Sequence, residues 1–202
     1  MSHFSFWSRF TAGTAGAACL LLASVGVAND ASAQESAAPP AAASPARLRV
    51  FGQNGITVDF YENSTCFGGD AKKTRVSGGM GDAFSSFMGS AKNTSIGMTE
   101  TPTTKNLGKR DGVLSKAYFR EYEVGAEQPV SLYMYFRTTP TGFAYVCHHV
   151  GGTFKAEAGK EYEVGFQLQG KECLAVVQQI EKNEQGEASL KDVPVLPAPE
   201  CK

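Results

Sequence analysis

Cys147, His148 and His149 are consecutive in a chain that holds three histidines and five cysteines, so this is where metal or nucleophilic chemistry would have to start. A metal ion needs its ligands to converge. In an extended strand neighbouring side chains point to opposite faces, which turns His148 away from Cys147 and His149, and no CxxC or HxxxH spacing accompanies them. Neither a metal nor another cofactor is expected. Nucleophilic hydrolysis needs a base and an oxyanion hole beside a Ser or Cys, and no GxSxG occurs. Gly78-Gly79-Met80-Gly81 resembles half of a phosphate loop but lacks the Gly-Lys-Ser/Thr that grips the phosphates.

Two carboxylate pairs, Glu121 with Glu123 and Glu161 with Glu163, have the i, i+2 spacing that puts both groups on one face of a strand. They imitate an acid/base couple, but a solvated sheet face has the same pattern, and that is the expectation here. Lys72, Lys73 and Arg75, with Lys105, Lys109 and Arg110, read as solvated loop charge. Asn63-Ser64-Thr65 and Asn93-Thr94-Ser95 match the glycosylation triplet, a frequent chance pattern. The candidate with a clear physical use is Tyr133 with Tyr135, two rings on one face of a strand, which can stack on a sugar or receive an apolar peptide.

Lys and Arg number 19 against 20 Asp and Glu, so the chain offers no surplus of cations to a phosphate backbone or an anionic membrane surface. No nucleic-acid partner is expected. Met1 to Phe10 carries Arg9, and an uncharged run from Thr11 to Val27 leads to Ala31-Ser32-Ala33. This reads as a signal peptide over 1–33, cleaved before Gln34. Apolar residues continue past Cys19, so a lipid anchor there is not favoured, though the sequence leaves it open. The Ala/Pro-rich stretch 34–46 has too little bulky apolar surface to order itself and reads as a linker. The domain is expected over 47–202, in the periplasm or secreted, without a transmembrane span.

Export gives the cysteines their meaning. Cys66, Cys147, Cys173 and Cys201 remain, an even number in an oxidising compartment. Three pairings are open. Cys147 with Cys173 joins two neighbouring strand candidates, and Cys66 with Cys201 pins both ends of the domain; these are the expected bridges.

The elements that must position these residues read as short strands separated by Gly, Pro, Asn and Asp. Arg47 to Phe51 and Ile56 to Tyr61 flank Asn54-Gly55 and predict a hairpin. Val130, Leu132, Met134 and Phe136 alternate with Ser131, Tyr133, Tyr135 and Arg137. Tyr162, Val164, Phe166 and Leu168 alternate likewise, and Gly170-Lys171 turns the chain into Cys173 to Ile180, whose centre is apolar on both faces and belongs inside a sheet. Val193 to Leu196 reads as a last strand. Between Phe67 and Gly112 the sequence turns Gly-rich and polar, a long insertion with one short helix candidate over Asp82 to Met88.

Tyr118 to Val124 (YFREYEV), Gln128-Pro129-Val130, Cys147, Phe154, Glu157 to Val164 (EAGKEYEV) and Cys173 resemble exported bacterial β-sandwich proteins and lipoproteins of uncharacterised function. Cys19 lacks the lipobox of the lipoprotein members. The resemblance implies fold and compartment and carries over no catalytic residue. The fold expected is all-β: an antiparallel two-sheet sandwich of immunoglobulin-like, Greek-key character, with a small barrel as the alternative. The function expected is a non-enzymatic binding or structural module whose partner is an envelope protein or glycan, with an envelope hydrolase as the alternative.

Overall fold

The computed structural model describes residues 43–53, 55–78, 92–109, 117–137, 146–170 and 172–202. In chain order the elements are β1 (Ala46–Gly52), β2 (Ile56–Glu62), β3 (Lys73–Ser77), α1 (Pro102–Lys105) with a 3-10 turn (Leu107–Lys109), β4 (Tyr118–Val124), β5 (Gln128–Arg137), β6 (Val146–Val150), β7 (Thr153–Ala156), β8 (Glu161–Gln169), β9 (Glu172–Lys182) and β10 (Ala188–Asp192). The helix candidate over 82–88 lies outside the described residues.

The strands form two sheets. The first has the order β10-β9-β8-β1-β4, and all its neighbours are antiparallel except β1 with β8. The second has the order β3-β2-β5-β6, with β7 also paired to β5, and is antiparallel throughout. One buried cluster draws on both. Leu48, Val50 and Val164 come from the first sheet and Val58, Phe60, Leu132 and Met134 from the second, which makes the pair a sandwich. Period-two alternation produces this directly, since each strand gives the core its even or its odd residues. Each such fully buried aliphatic or aromatic side chain contributes about 1.5–3 kcal/mol.

Three expectations are corrected. β1 and β2 are not a hairpin, because β1 pairs with β4 and β8 while β2 pairs with β3 and β5. The turn, with Gly55 at φ 79°, carries the chain from one sheet to the other. The stretch from Phe67 to Gly112 is not one insertion, since it contains β3, an edge strand whose polar alternation (KTRVS) hid it. The last strand is β10, not Val193 to Leu196. Val193 N still bonds to Val177 O, but the chain then leaves β9, and Leu196 crosses to pair with Thr153 of β7.

Cys147 of β6 is bonded to Cys173 of β9, so this bridge ties one sheet to the other, with Cα atoms 6.1 Å apart. Cys66, in the loop after β2, is bonded to Cys201 near the C-terminus, with Cα atoms 5.1 Å apart. Among the described residues no helix is long and apolar enough to cross a membrane.

Candidate functional site

The alternation of β5 sends Leu132, Met134 and Phe136 into the core and leaves Tyr133 and Tyr135 half-buried on the outer face of the second sheet. Met134 pairs with Val150 and Phe136 with Cys147, so Tyr135 alone stands opposite two residues, His148 and His149. This is a β-bulge. His149 adopts φ 52°, a left-handed conformation that non-glycine residues seldom take. The bulge overturns the expectation that the two histidines face opposite ways. His148 packs on Tyr135 with ring centroids 5.4 Å apart, His149 on Tyr133 at 5.6 Å, and the histidines are 6.3 Å from each other.

Phe67 completes the cluster, 5.1 Å from Tyr133 and 5.7 Å from His149. It arrives from the loop after β2 and is pinned to the C-terminal segment, its N–H bonding Pro199 O at 3.0 Å and its carbonyl accepting from Cys201 N at 2.8 Å. The Cys66–Cys201 bridge lies beside these bonds and fixes the ring. Beneath, the buried Asp59 takes a bidentate fork from Arg75, Nε at 2.7 Å and Nη2 at 2.9 Å. Burial raises the Tyr133 hydroxyl pKa, and Asp59, Tyr135 and Glu200 add to the rise. Tyr61, on the same face, is raised by burial and by Asp59.

Geometry limits what this face can do. Rings with centroids 5–6 Å apart touch one another, so no cation fits between them as in an aromatic cage; with His149 edge-on to Tyr133 and Phe67 at 76°, what they offer is a contiguous aromatic surface of ring faces and edges. Both oxygens of Asp59 are engaged by Arg75, and the Ser131 hydroxyl is spent on Ser64 O at 2.7 Å, so neither is arranged around His149 as a triad. Among the described residues no group of three His, Cys, Asp or Glu is placed to hold a metal ion.

The carboxylate pairs lie on the outer face of the first sheet, and the expectation of a solvated face is corrected for three of the four. Glu121, Glu161 and Glu163 are buried, while Glu123 is exposed. At their centre is Arg49, only 2% exposed, opposite Glu121 on β4 and Glu163 on β8. Its Nη2 lies 2.6 Å from Glu121 Oε1 and its Nη1 2.8 Å from Glu163 Oε1. Glu161 Oε1 takes no directed hydrogen bond but sits 2.5 Å from Arg47 Nη2, so the ion pair is its partner.

A strap running from Thr94 through α1 closes this network from above. Ser95 Oγ, Ile96 N and Met98 N donate to Glu121 Oε2 at 2.7, 2.7 and 3.2 Å, Thr99 N to Glu161 Oε2 at 3.1 Å, and Thr101 Oγ1 to Glu163 Oε1 at 2.6 Å. Arg49 Nη2 returns a bond to Thr99 O at 2.9 Å. For Glu121 these hydrogen bonds outweigh the burial and hold its carboxyl below the ordinary carboxylate value. Isolated carboxylate pairs gave no sign of this. The sign was the opposition of Arg47-Leu48-Arg49 to two copies of Glu-Tyr-Glu, at 121–123 and 161–163, three strands of one pattern and opposite charge.

The chain matches no protein-family model, no curated protein and no solved structure.

Proposed function

We infer that the protein is a non-enzymatic binding module of the bacterial envelope or its surroundings, and that its ligand is a glycan held on the outer face of the second sheet. The observation that carries this reading is the β6 bulge. It spends a left-handed backbone on bringing His148 and His149 onto Tyr135 and Tyr133 instead of letting one of them turn away. Backbone held in such a conformation points to a use for the side chains it aims. An exposed ring face receives the C–H face of a pyranose, and the imidazole edges and the exposed Glu200 supply donors and acceptors for its hydroxyls.

Two disulfides support placement beyond the cytoplasm, where such bridges persist. A signal peptide over 1–33 and kinship with exported uncharacterised β-sandwich proteins belong to the same proposal. So does a Greek-key, immunoglobulin-like topology, supported by the crossings from β1 to β2 and from β4 to β5 between sheets and by the bridge joining them.

The test is retention of the disulfide-intact protein on a panel of insoluble and immobilised polysaccharides, peptidoglycan sacculi and chitin included, beside its Tyr133→Ala and Tyr135→Ala variants. Retention on at least one matrix, weakened about tenfold by either substitution, is expected. Equal retention of all three proteins, or retention on none of the matrices, overturns the reading.

A further inference from the structure

β10 covers only part of the outer edge of β9. Its pairing runs from Lys182 to Gln178 and ends with Val193 N on Val177 O, after which the chain crosses to β7 at Leu196. Backbone groups alternate in direction along an antiparallel strand. The carbonyl of Val177 points away from β8, so the N–H and C=O of Cys173 and Ala175 point away from β8 as well, toward the side β10 has left. Among the described residues they have no backbone partner. An uncovered edge of this kind is a template for another strand.

The side chains around it agree. Leu174 is an exposed large apolar residue on the outer face of β9, and Val176 beside it is half-buried. A groove of about 410 Å³ runs along this edge, lined by Gln167, Gln169, Leu174, Val176, Asp192 and Val195 among others. Among the described residues the exposed carboxylates of Asp192 and Glu172 stand at the two ends of this edge, Asp192 accepting from Gln178 Nε2 at 2.7 Å, while Lys191 is paired with Glu181. Carboxylates at both ends of an apolar edge complement a strand that carries cations at its own ends.

We propose that the free edge of β9 from Glu172 to Val176 is a docking site for an extended segment of a partner protein, apolar at its centre and with Lys or Arg at its ends, which adds to the first sheet as a further strand. The backbone of Cys173 and Ala175 supplies the hydrogen bonds and Leu174 and Val176 the contacts that set register. This site is separate from the aromatic face and does not depend on the glycan reading.

The test uses the peptide acetyl-Lys-Val-Thr-Val-Thr-Lys-amide, its counterpart with Glu at both ends, and amide hydrogen exchange of the full disulfide-bonded protein. The lysine-ended peptide is expected to protect the amides of Cys173 and Ala175 at least tenfold, and the glutamate-ended one to bind at least fivefold more weakly. Ala175→Pro removes an outward N–H without touching a bond to β8 and is expected to abolish the protection of the Cys173 amide; should that variant not fold, Leu174→Lys is expected to weaken binding at least fivefold. No protection of these two amides, or unchanged binding by the folded variants, overturns the proposal. Protection that grows with protein concentration in the absence of peptide also overturns it, by making the occupant a second copy.

Discussion

The outer faces of the two sheets solve the same problem in opposite ways. On the first sheet, charge is packed inward and sealed, with Arg49 and three glutamates buried beneath a strap whose donors end on their carboxylate oxygens. On the second, rings stand half-exposed with no such strap among the described residues, and a covalent bridge holds Phe67 beside them. A network of desolvated ions is costly to bury and tolerates no missing member, so it fixes one geometry and hides it from ligands. Touching rings keep their shape while exposed and remain available.

The fastening of the open face should give the largest effect. Cys66 and Cys201 are 135 residues apart, and opening a loop of that length releases up to about 5 kcal/mol of restriction on the unfolded chain. Cys66→Ala/Cys201→Ala should lose most of that in urea denaturation. It should also loosen Phe67 and Tyr133 as seen by aromatic NMR, with the amides of Ile96 and Met98 still protected from exchange. Loosening of both faces together would break the separation drawn between them.

Next comes the keystone of the sealed face. Arg49→Met leaves Glu121 and Glu163 buried without their cation and should cost about 3–5 kcal/mol. The corresponding ion pair on the open face has a partly exposed cation, Arg75 at 42%, and Arg75→Met leaves one buried carboxylate, Asp59, where Arg49→Met leaves two, so it should cost less, about 1–3 kcal/mol. Denaturation midpoints of the two variants, converted with a common m-value, make the comparison. Equal losses would mean that the strap does not keep water from Arg49.

These two faces also mark how far the sequence could be read. Alternation in β5 and β8 states which residues share a face, because a period of two is fixed by strand geometry. It is silent on which strands are neighbours, so β1 and β2 looked like a hairpin although each had partners in a different sheet. The bulge at His148–His149 is a mismatch of register between two strands and leaves no mark in β6 alone. The strap was illegible for a related reason. Its key bonds use backbone N–H groups of Ile96, Met98 and Thr99, which every sequence possesses, and its partners are 23 to 62 residues away. Only the charge opposition between Arg-Leu-Arg and two Glu-Tyr-Glu segments was there to be used.

Acid and alkali should undo the faces separately. Burial pushes the Glu121 carboxyl up, but hydrogen bonds from Ser95, Arg49, Ile96 and Met98 together outweigh it, so its pKa lies below the ordinary 4.5. A depressed carboxyl stabilises the fold above its unfolded value, and the contribution fades as pH falls through the folded one. Protection of Ile96 and Met98 relative to β8 should therefore drop below about pH 4, and Glu121→Gln should flatten the dependence. Tyr133 is shifted the other way, raised above 10.0 by burial and by Asp59, Tyr135 and Glu200, so its contribution is whole below pH 10.0 and is lost as pH rises through the folded value. Phenolate absorbance and aromatic NMR in alkali should report the open face giving way while the strap amides hold.

The smallest effect on stability should come from the residue most specific to the open face. His149 holds φ 52°, where glycine sits without strain, so His149→Gly exchanges a lost ring contact against relieved backbone. The net change in unfolding free energy should stay within about 1 kcal/mol and can be of either sign. Binding should respond differently, because the ring 5.6 Å from Tyr133 is gone and the stacking surface is cut at its centre. Retention on a matrix that holds the wild type should fall severalfold at nearly unchanged melting temperature. A variant that melts alike and binds alike would show that the left-handed backbone at 149 serves the bulge and not the surface it turns outward.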